Sequence, residues 1–382
     1  MRQRLFVGIA SLALLGTGYA LGSAARVRNL REQAQAATTR EDWNELDAVS
    51  RQWTDAVPDE AAAWIARAEA RRRLGDFRGT AEALGHIPRE SPDFVQYALA
   101  RADLLLSEVH DVPAAEQVWK EVLSVDRLSA QAWQRLIYLY AMTLRQTEMM
   151  NTIRQAALLQ REPAEAYVYA MTCGDVQFSD GAVRMLEWTQ ETPGVEFLEA
   201  ALAVYVAMAR PRTSSTFFPD PELLPSGRAR LNRCHKEFPH NTEILACLLE
   251  FAMAEGDKDE VRRLLKDARN VDADPRFWRF RGWLLELDRK SQEAERHYRK
   301  ALAIHPLDWK SRQQLGGVLR LLGRREDASR ESALALQGKQ LARDVAALQT
   351  AADADERLMQ RVLAHMTACG DVGLATALRG RL

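Results

Sequence analysis

The feature that most constrains the fold of this chain is a glycine turn that recurs between short amphipathic segments. Apolar residues follow a helical spacing from residue 26 onward, and the alternation typical of strands is nearly absent. Glycine tolerates the left-handed conformation that ends a helix, so the chain can reverse into a second helix at each turn. The turns are Leu74-Gly75-Asp76, Cys173-Gly174-Asp175, Glu255-Gly256-Asp257, Leu322-Gly323-Arg324 and Cys369-Gly370-Asp371. The sequence therefore predicts an all-α fold of antiparallel helix pairs.

The distances between these turns indicate a repeat. The turn glycines lie 99, 82, 67 and 47 residues apart, and 99 and 67 are about three and two periods of roughly 34 residues. The 82-residue gap contains an 18-residue insertion, residues 210–227, whose removal leaves 64 residues. This gap is then again about two periods long.

One segment, residues 275–306, carries a specific pattern of large and small residues. The pattern consists of Trp278, Gly282, Ala294, Tyr298, Ala301 and Pro306. This spacing resembles the tetratricopeptide-repeat (TPR) family, in which two helices cross closely at small residues. Glycine within a helix costs about 1 kcal/mol relative to alanine, so we expect Gly282 to mark such a crossing opposite Ala294.

Three further segments resemble the same repeat. They are residues 309–336, residues 61–92 and the segment that starts at residue 130, where Trp133, Leu136 and Tyr140 match the family pattern. Arg312 stands where the family has tryptophan. Residues 26–60, 95–129, 164–194, 195–240 and 241–274 have the right length with weaker signatures. We therefore expect a TPR-like helical-repeat solenoid over residues 26–345 and capping helices over residues 346–382.

The N-terminus reads as a membrane segment. Residues 5–25 carry no charge, and a helix of 21 residues spans roughly 30 Å, enough to cross a bilayer core. The alternative is a cleavable signal peptide, with Ser23 and Ala25 at the cleavage site. Because the apolar run is longer than in most signal peptides, residues 1–25 are interpreted as an uncleaved transmembrane anchor, with the body of the protein outside the cytoplasm in the cell envelope.

A pair of small residues inside this segment suggests self-association. Gly18 and Gly22 form a G-x-x-x-G pair, and this spacing lets two membrane helices approach closely. The sequence thus predicts a homodimer through Gly18 and Gly22, although glycine is also common in export signals.

The charge of the chain excludes a general nucleic-acid binder. The formal net charge is −1, which gives no overall attraction to phosphate backbones. The charge is nevertheless uneven, because residues 276–344 contain 16 lysines and arginines against 9 aspartates and glutamates. This part of the chain would attract an acidic partner, unless its charges are simply solvated helix faces.

No pattern in the sequence indicates catalysis or a cofactor. The chain lacks H-E-x-x-H, G-x-S-x-G and the phosphate-binding glycine loop. Cys234, His235 and His240 are the one compact group of soft ligands, and they lack a fourth ligand on the same face. We expect a protein without enzymatic activity, metal or cofactor.

Partner binding is predicted on the first helices of the repeats at residues 275 and 309. In the family that this sequence resembles, positions 2, 5, 9 and 12 of a repeat face the inner wall of the solenoid. These positions are Arg276, Arg279, Trp283 and Glu286 in one repeat and Lys310, Gln313, Gly317 and Arg320 in the next. Arginines could pair with the carboxylates of an acidic or C-terminal peptide while Trp283 covers an apolar side chain. The alternative is that these side chains are solvated or pack internally.

Two further places are predicted to bind a partner. Tyr138 occupies the corresponding wall position of the repeat at residue 130. Phe217 and Phe218 lie in the proline-rich insertion, which either folds back onto its own repeat or offers a docking segment.

Taken with the repeat pattern, these features predict a membrane-anchored, non-catalytic interaction scaffold that binds a protein or peptide partner on its concave face. The alternative is an assembly factor or chaperone-like client-binding protein of the cell envelope.

Overall fold

Every regular element that the structure describes is a helix. The structure is a computed structural model, and it describes residues 24–172, 178, 180–208, 227–348 and 353–382. The chain divides into two compact units, Met1–Arg127 and Leu128–Leu382. The predicted all-α, TPR-like helical repeat is confirmed for the described residues, whereas the boundaries predicted for its domains stay predictions.

In the first unit, the described residues form six consecutive helices. They are α1 (24–39), α2 (Trp43–Ala56), α3 (Ala61–Arg73), α4 (Phe77–Leu84), α5 (Phe94–Ser107) and α6 (Val112–Val125). Each helix from α2 onward packs against the next along the chain. Trp53 and Trp119 are buried in this unit.

The described part of the second unit contains fourteen helices. They are α7 (Ala130–Met142), α8 (Gln146–Leu158), α9 (Glu165–Thr172), α10 (Gly181–Glu191), α11 (Glu196–Met208), α12 (Gly227–Glu237), α13 (Thr242–Glu255), α14 (Lys258–Asp267), α15 (Pro275–Leu287), α16 (Ser291–Ile304), α17 (Trp309–Leu321), α18 (Arg325–Ala346), α19 (Glu356–Cys369) and α20 (Val372–Arg379). Each recognised repeat, strong or weak, therefore contains two helices, although in residues 164–194 helix α9 packs chiefly against α18.

The turns within the pairs explain where the helices end. Gly323 follows α17 with φ +76°, in the left-handed region that glycine favours. Leu144 and Arg289 adopt a similar backbone without glycine, with φ 59° at each residue. The next helix commonly begins with an aspartate cap, as at Asp257, whose side chain accepts a hydrogen bond from Glu260 N–H. The left-handed turn thus recurs with and without glycine, so it is more regular than the spacing of glycines in the sequence.

Gly282 marks a close crossing of α15 and α16, as the sequence predicts. A Cβ atom added at Gly282 would lie 2.6 Å from Cε1 of Tyr298, closer than real carbon atoms approach. Tyr298 is fully buried, and its hydroxyl donates a hydrogen bond to Glu286 at 2.9 Å. Gly282 therefore makes room for an aromatic ring.

Arg312 stands at a position where the family has tryptophan, and the structure explains this difference. Its guanidinium is buried and pairs with Glu331 at 2.6 Å. It also donates to the carbonyl oxygens of Pro306 and Cys369, each at 3.0 Å. Arg312 thus joins α17, α18 and the end of α19, and an indole ring could not make these bonds.

The second unit contains contacts between helices that are far apart in the sequence. Helix α9 packs against α18, and α8 packs against α20. Arg154 pairs with Asp371 at 2.8 Å, and Arg381 pairs with Glu162 at 3.5 Å. We call these contacts of α8–α9 and the Glu162 turn with α18–α20 the seam. Through the seam, helices near the start of this unit contact helices near its end.

The predicted membrane anchor lies almost entirely outside the described residues. Residues 1–23 are not described, so the predictions for the apolar segment and for Gly18 and Gly22 lie outside the described part of the chain. Among the described residues, no helix is both long and apolar enough to cross a membrane. The anchor and the homodimer stay predictions.

Candidate partner-binding wall

Eight residues of α15 and α17 occupy the predicted wall positions, and the structure divides them into two groups. The covered half consists of Arg276, Arg279 and Lys310, at the N-terminal ends of the two helices. The open half consists of Trp283, Glu286, Gln313, Gly317 and Arg320. Burial and internal ion pairs distinguish the two halves.

Arg276 is held by carboxylates of its own chain. Its guanidinium pairs with Glu243 at 2.7 Å and with Asp274 at 2.6 Å. Burial opposes the charge of Arg276, but Asp274 and Glu243 outweigh this effect and raise its pKa well above the usual value. The guanidinium therefore stays charged and joins α13 to α15.

Arg279 is also neutralised inside the fold. It is 3% exposed, and its guanidinium donates a hydrogen bond to Glu250 at 2.5 Å. Burial acts against ionisation of Glu250, but Arg279 and Lys310 together hold the pKa of that carboxyl below its usual range. The Lys310 ammonium lies 3.8 Å from the same carboxylate. The partner-binding role predicted for these cations stays a prediction, and their carboxylate partners are already present in the chain.

Helices α8 and α9 help to cover this half of the wall. A cavity of about 30 Å³ is bounded by Gln146 of α8 and Met171 and Thr172 of α9 on one side. Arg276 and Arg279 lie among the residues on the other side. The Gln146 backbone N–H also donates to Glu243 at 3.4 Å. Residues of α8 and α9 therefore border the same cavity as the covered half.

The same cavity is bordered by a half-buried acid, Asp308, and a buried base, His305. Burial works against the charge of Asp308, but Arg279 and the Ser311 hydroxyl lower the pKa of its carboxyl. Burial lowers the pKa of His305, although Asp308 acts in the opposite direction. The Nδ1 atom of His305 and the Nε atom of Arg279 have no hydrogen-bond partner among the described residues. These polar atoms border a space about the size of one water molecule.

The open half presents aromatic, polar and basic groups. Gln313 and Arg320 are exposed, and Trp283 is half-buried. A Cβ atom added at Gly317 would have a single neighbouring atom within 4 Å, Oε1 of Glu286 at 4.0 Å. Helices α15 and α17 therefore leave space at this glycine. Arg320 has no carboxylate at ion-pair distance among the described residues. The open half therefore keeps one cation and one indole accessible to another molecule.

The other predicted binding residues lie elsewhere. Tyr138 is half-buried, its ring lies 5.9 Å from that of Phe178 in an edge-to-face contact, and burial raises the pKa of its hydroxyl. Its contact is therefore internal, at least in part. Phe217 and Phe218 lie outside the described residues, so their role stays a prediction.

The cysteine and histidines of α12 and its following turn have structural contacts. Cys234 is buried, and burial raises the pKa of its thiol to about 12. His240 Nδ1 lies 2.8 Å from the carbonyl oxygen of Asp267, and His235 Nε2 lies 3.7 Å from the carboxylate of the same residue. Within the described ranges, no three metal-ligating side chains come together.

Comparisons with known proteins find distant structural similarity. No family model matches the sequence, and no curated protein matches it. The match to a crystal structure of the APC/C Cut9–Hcn1 hetero-tetramer extends over 90% of this chain and 78% of the chain in that structure, with 13% identity and a TM-score of 0.34. A TPR protein from Parabacteroides merdae ATCC 43184 covers 77% and 99%, with 9% identity and a TM-score of 0.29. The TPR domain of P58(IPK) covers 90% and 98%, with 14% identity and a TM-score of 0.27. TPR proteins are thus among the structural neighbours. Because these TM-scores are low, the assignment of a TPR-like fold rests on the helix pairs of the chain itself.

Proposed function

We propose that this protein is a non-catalytic interaction scaffold that binds a protein partner on the open half of the wall. The observation that carries this proposal is the contrast between Arg320 and the covered cations. Arg276 and Arg279 are buried in internal ion pairs, whereas Arg320 is exposed at the same wall and has no carboxylate partner among the described residues. Arginine and tryptophan are both enriched at protein interfaces.

The chemistry of the open half favours a partner segment with one acidic and one apolar side chain. Arg320 would pair with the carboxylate, and Trp283 would cover the apolar group. Gly317 leaves space at its own position, because its nearest neighbouring side-chain atom would lie 4.0 Å from an added Cβ. Glu286 accepts a hydrogen bond from the Tyr298 hydroxyl.

The proposal includes a location. The uncharged segment at residues 5–25 supports a single membrane anchor, with the repeat units outside the cytoplasm. Gly18 and Gly22 support close approach of two such anchors, which would bring two scaffolds together.

Cross-linked affinity capture from membranes, with the full chain, tests the proposed surface. Wild type is compared with Trp283→Ala and Arg320→Glu, and with Arg296→Glu as the matched control, because Arg296 is exposed on α16 and outside the wall. We expect recovery of the partner to fall by about tenfold for the two wall variants and to stay unchanged for the control. Equal recovery from all four proteins would refute the proposed surface. Salt-sensitive recovery of many different peptides would instead indicate the client-binding alternative.

A further inference from the structure

The contacts that close the seam differ from those that hold each repeat together. Within a repeat, two consecutive helices bury apolar residues against each other, as α15 and α16 do around Tyr298 and Ala294. Each repeat is therefore stabilised mainly by itself and its sequence neighbours. At the seam, α9 packs against α18 and α8 against α20, and two ion pairs join residues that are more than 200 positions apart in the sequence. The seam is thus a contact of long sequence separation, and α9 packs against α18 more extensively than against its preceding neighbour α8.

The ion pairs of the seam each join a partly exposed arginine to a buried carboxylate. The side chain of Asp371 is 1% exposed and that of Arg154 is 32% exposed. Similarly, Glu162 is 1% exposed and Arg381 is 42% exposed. The carboxylates also have bonds on their own side, because Asp371 caps α20 and Glu162 accepts a hydrogen bond from the Tyr167 hydroxyl. If the arginines move away, water can reach the charged groups, so opening the seam leaves no charge permanently buried.

The seam also controls what lies in front of the wall. Helices α9 and α8 pack against α18 and α20, respectively, and their residues Gln146, Met171 and Thr172 border the cavity at the covered half. The ion pair between Arg276 and Glu243 joins α13 to α15, and these helices remain neighbours when the seam opens. Opening would thus expose the covered half without breaking the ion pairs inside it.

We propose that the seam is an autoinhibitory latch that restricts the wall to its open half. In the closed state, a partner reaches Trp283 and Arg320, while Arg276, Arg279 and Lys310 are covered. When α8–α9 separate from α18–α20, the binding surface extends along the whole length of α15 and α17. This inference rests on the proposed function, because it concerns the regulation of the same wall.

Hydrogen–deuterium exchange of the full chain tests the latch without requiring a known partner. Asp371→Asn removes the charge of the seam pair and keeps a residue type that caps helices well. Arg154→Met is a second variant from the other side of the seam. The matched control is Asp344→Asn, because Asp344 pairs with Arg361 at 2.7 Å between the consecutive helices α18 and α19. We expect amide exchange in α8, α9 and α20 to become about tenfold faster or more in both seam variants, with exchange in α13–α16 unchanged.

The outcomes separate the latch from the proposed function. Unchanged exchange in both seam variants would overturn the latch, and so would faster exchange throughout the second unit, since the seam would then be inseparable from the fold. The amount of partner recovered by affinity capture with the same variants should rise about threefold or more, because the seam is weakened. Local opening with unchanged capture would refute the regulation, whereas a failure of Arg320→Glu to reduce capture would refute the proposed function.

Discussion

Arg154 and Asp371 are 217 residues apart in the chain, and their side chains form two parallel hydrogen bonds of 3.1 and 2.8 Å. This pair brings the second helix of one repeat against the last helix of the chain. A helical repeat array is otherwise stabilised by neighbours along the sequence. The pair therefore shows that the second unit is organised by at least one contact of long sequence separation.

The crossing at Gly282 gives a direct prediction about stability. Replacement of Gly282 by alanine would place a Cβ atom 2.6 Å from the Tyr298 ring, and the strain should lower the free energy of unfolding by about 1–3 kcal/mol. Gly317→Ala is the matched control, because its nearest contact would be at 4.0 Å. Since alanine favours helices, the control should be neutral or more stable by up to about 1 kcal/mol. Urea unfolding measures both, and equal effects would contradict the close crossing.

The buried ion pair of Arg279 and Glu250 gives a second prediction. Arg279→Ala would leave Glu250 and the neighbouring Asp308 without their main counter-charge, so we expect a loss of about 3 kcal/mol. Arg262→Ala is the control, because Arg262 pairs with Asp259, which is 93% exposed, and such pairs contribute about 0.5 kcal/mol or less. Chemical unfolding distinguishes the two variants. A loss below 1 kcal/mol for Arg279→Ala would show that this guanidinium is hydrated and free to bind a partner.

Burial of His365 predicts a specific sensitivity to acid. His365 is fully buried on α19, and burial, followed by the charge of Arg312, lowers its pKa to about 4. Because this value lies below the pKa of about 6.5 in an unfolded chain, its contribution to stability is complete above about pH 6.5. The contribution is lost as the pH falls from there towards 4.

Unfolding of wild type and His365→Gln at pH 7.5 and pH 5.0 measures this contribution. The variant should lose less stability between the two pH values than wild type, because glutamine takes up no proton in this range. The buried His305, whose pKa is also lowered, keeps part of the acid sensitivity in every variant. Identical losses in His365→Gln and wild type would contradict the prediction.

The helix pairs could be predicted from the sequence because their causes are local and periodic. Gly282, Ala294 and Tyr298 lie within one repeat, and their sizes and spacing specify a close crossing before any coordinates are known. The turn at Gly323 is equally local. The same turn at Leu144 and Arg289 has no glycine, so it could be placed only by the helices on either side.

The closure of the second unit could not be predicted in this way. Arg154 and Asp371 carry no periodic signal, and a charged residue on a helix is usually solvated. The same lack of information affected the wall, where Arg276, Arg279 and Arg320 are chemically alike in the sequence. Only the positions of Glu243, Glu250 and helices α8 and α9 separate two buried cations from an exposed one. Arg312 gave an indirect signal, since it replaces an apolar residue and forms a buried ion pair.

The most direct test of the closed repeat array is a double-mutant cycle on the Arg154–Asp371 pair. The free energy of unfolding is measured for wild type, Arg154→Met, Asp371→Asn and the double variant. The closed array predicts a coupling energy of about 1 kcal/mol or more, because the two side chains share two hydrogen bonds. A coupling energy near zero would mean that the two helices do not meet in solution, and it would contradict both the seam and the division of the wall.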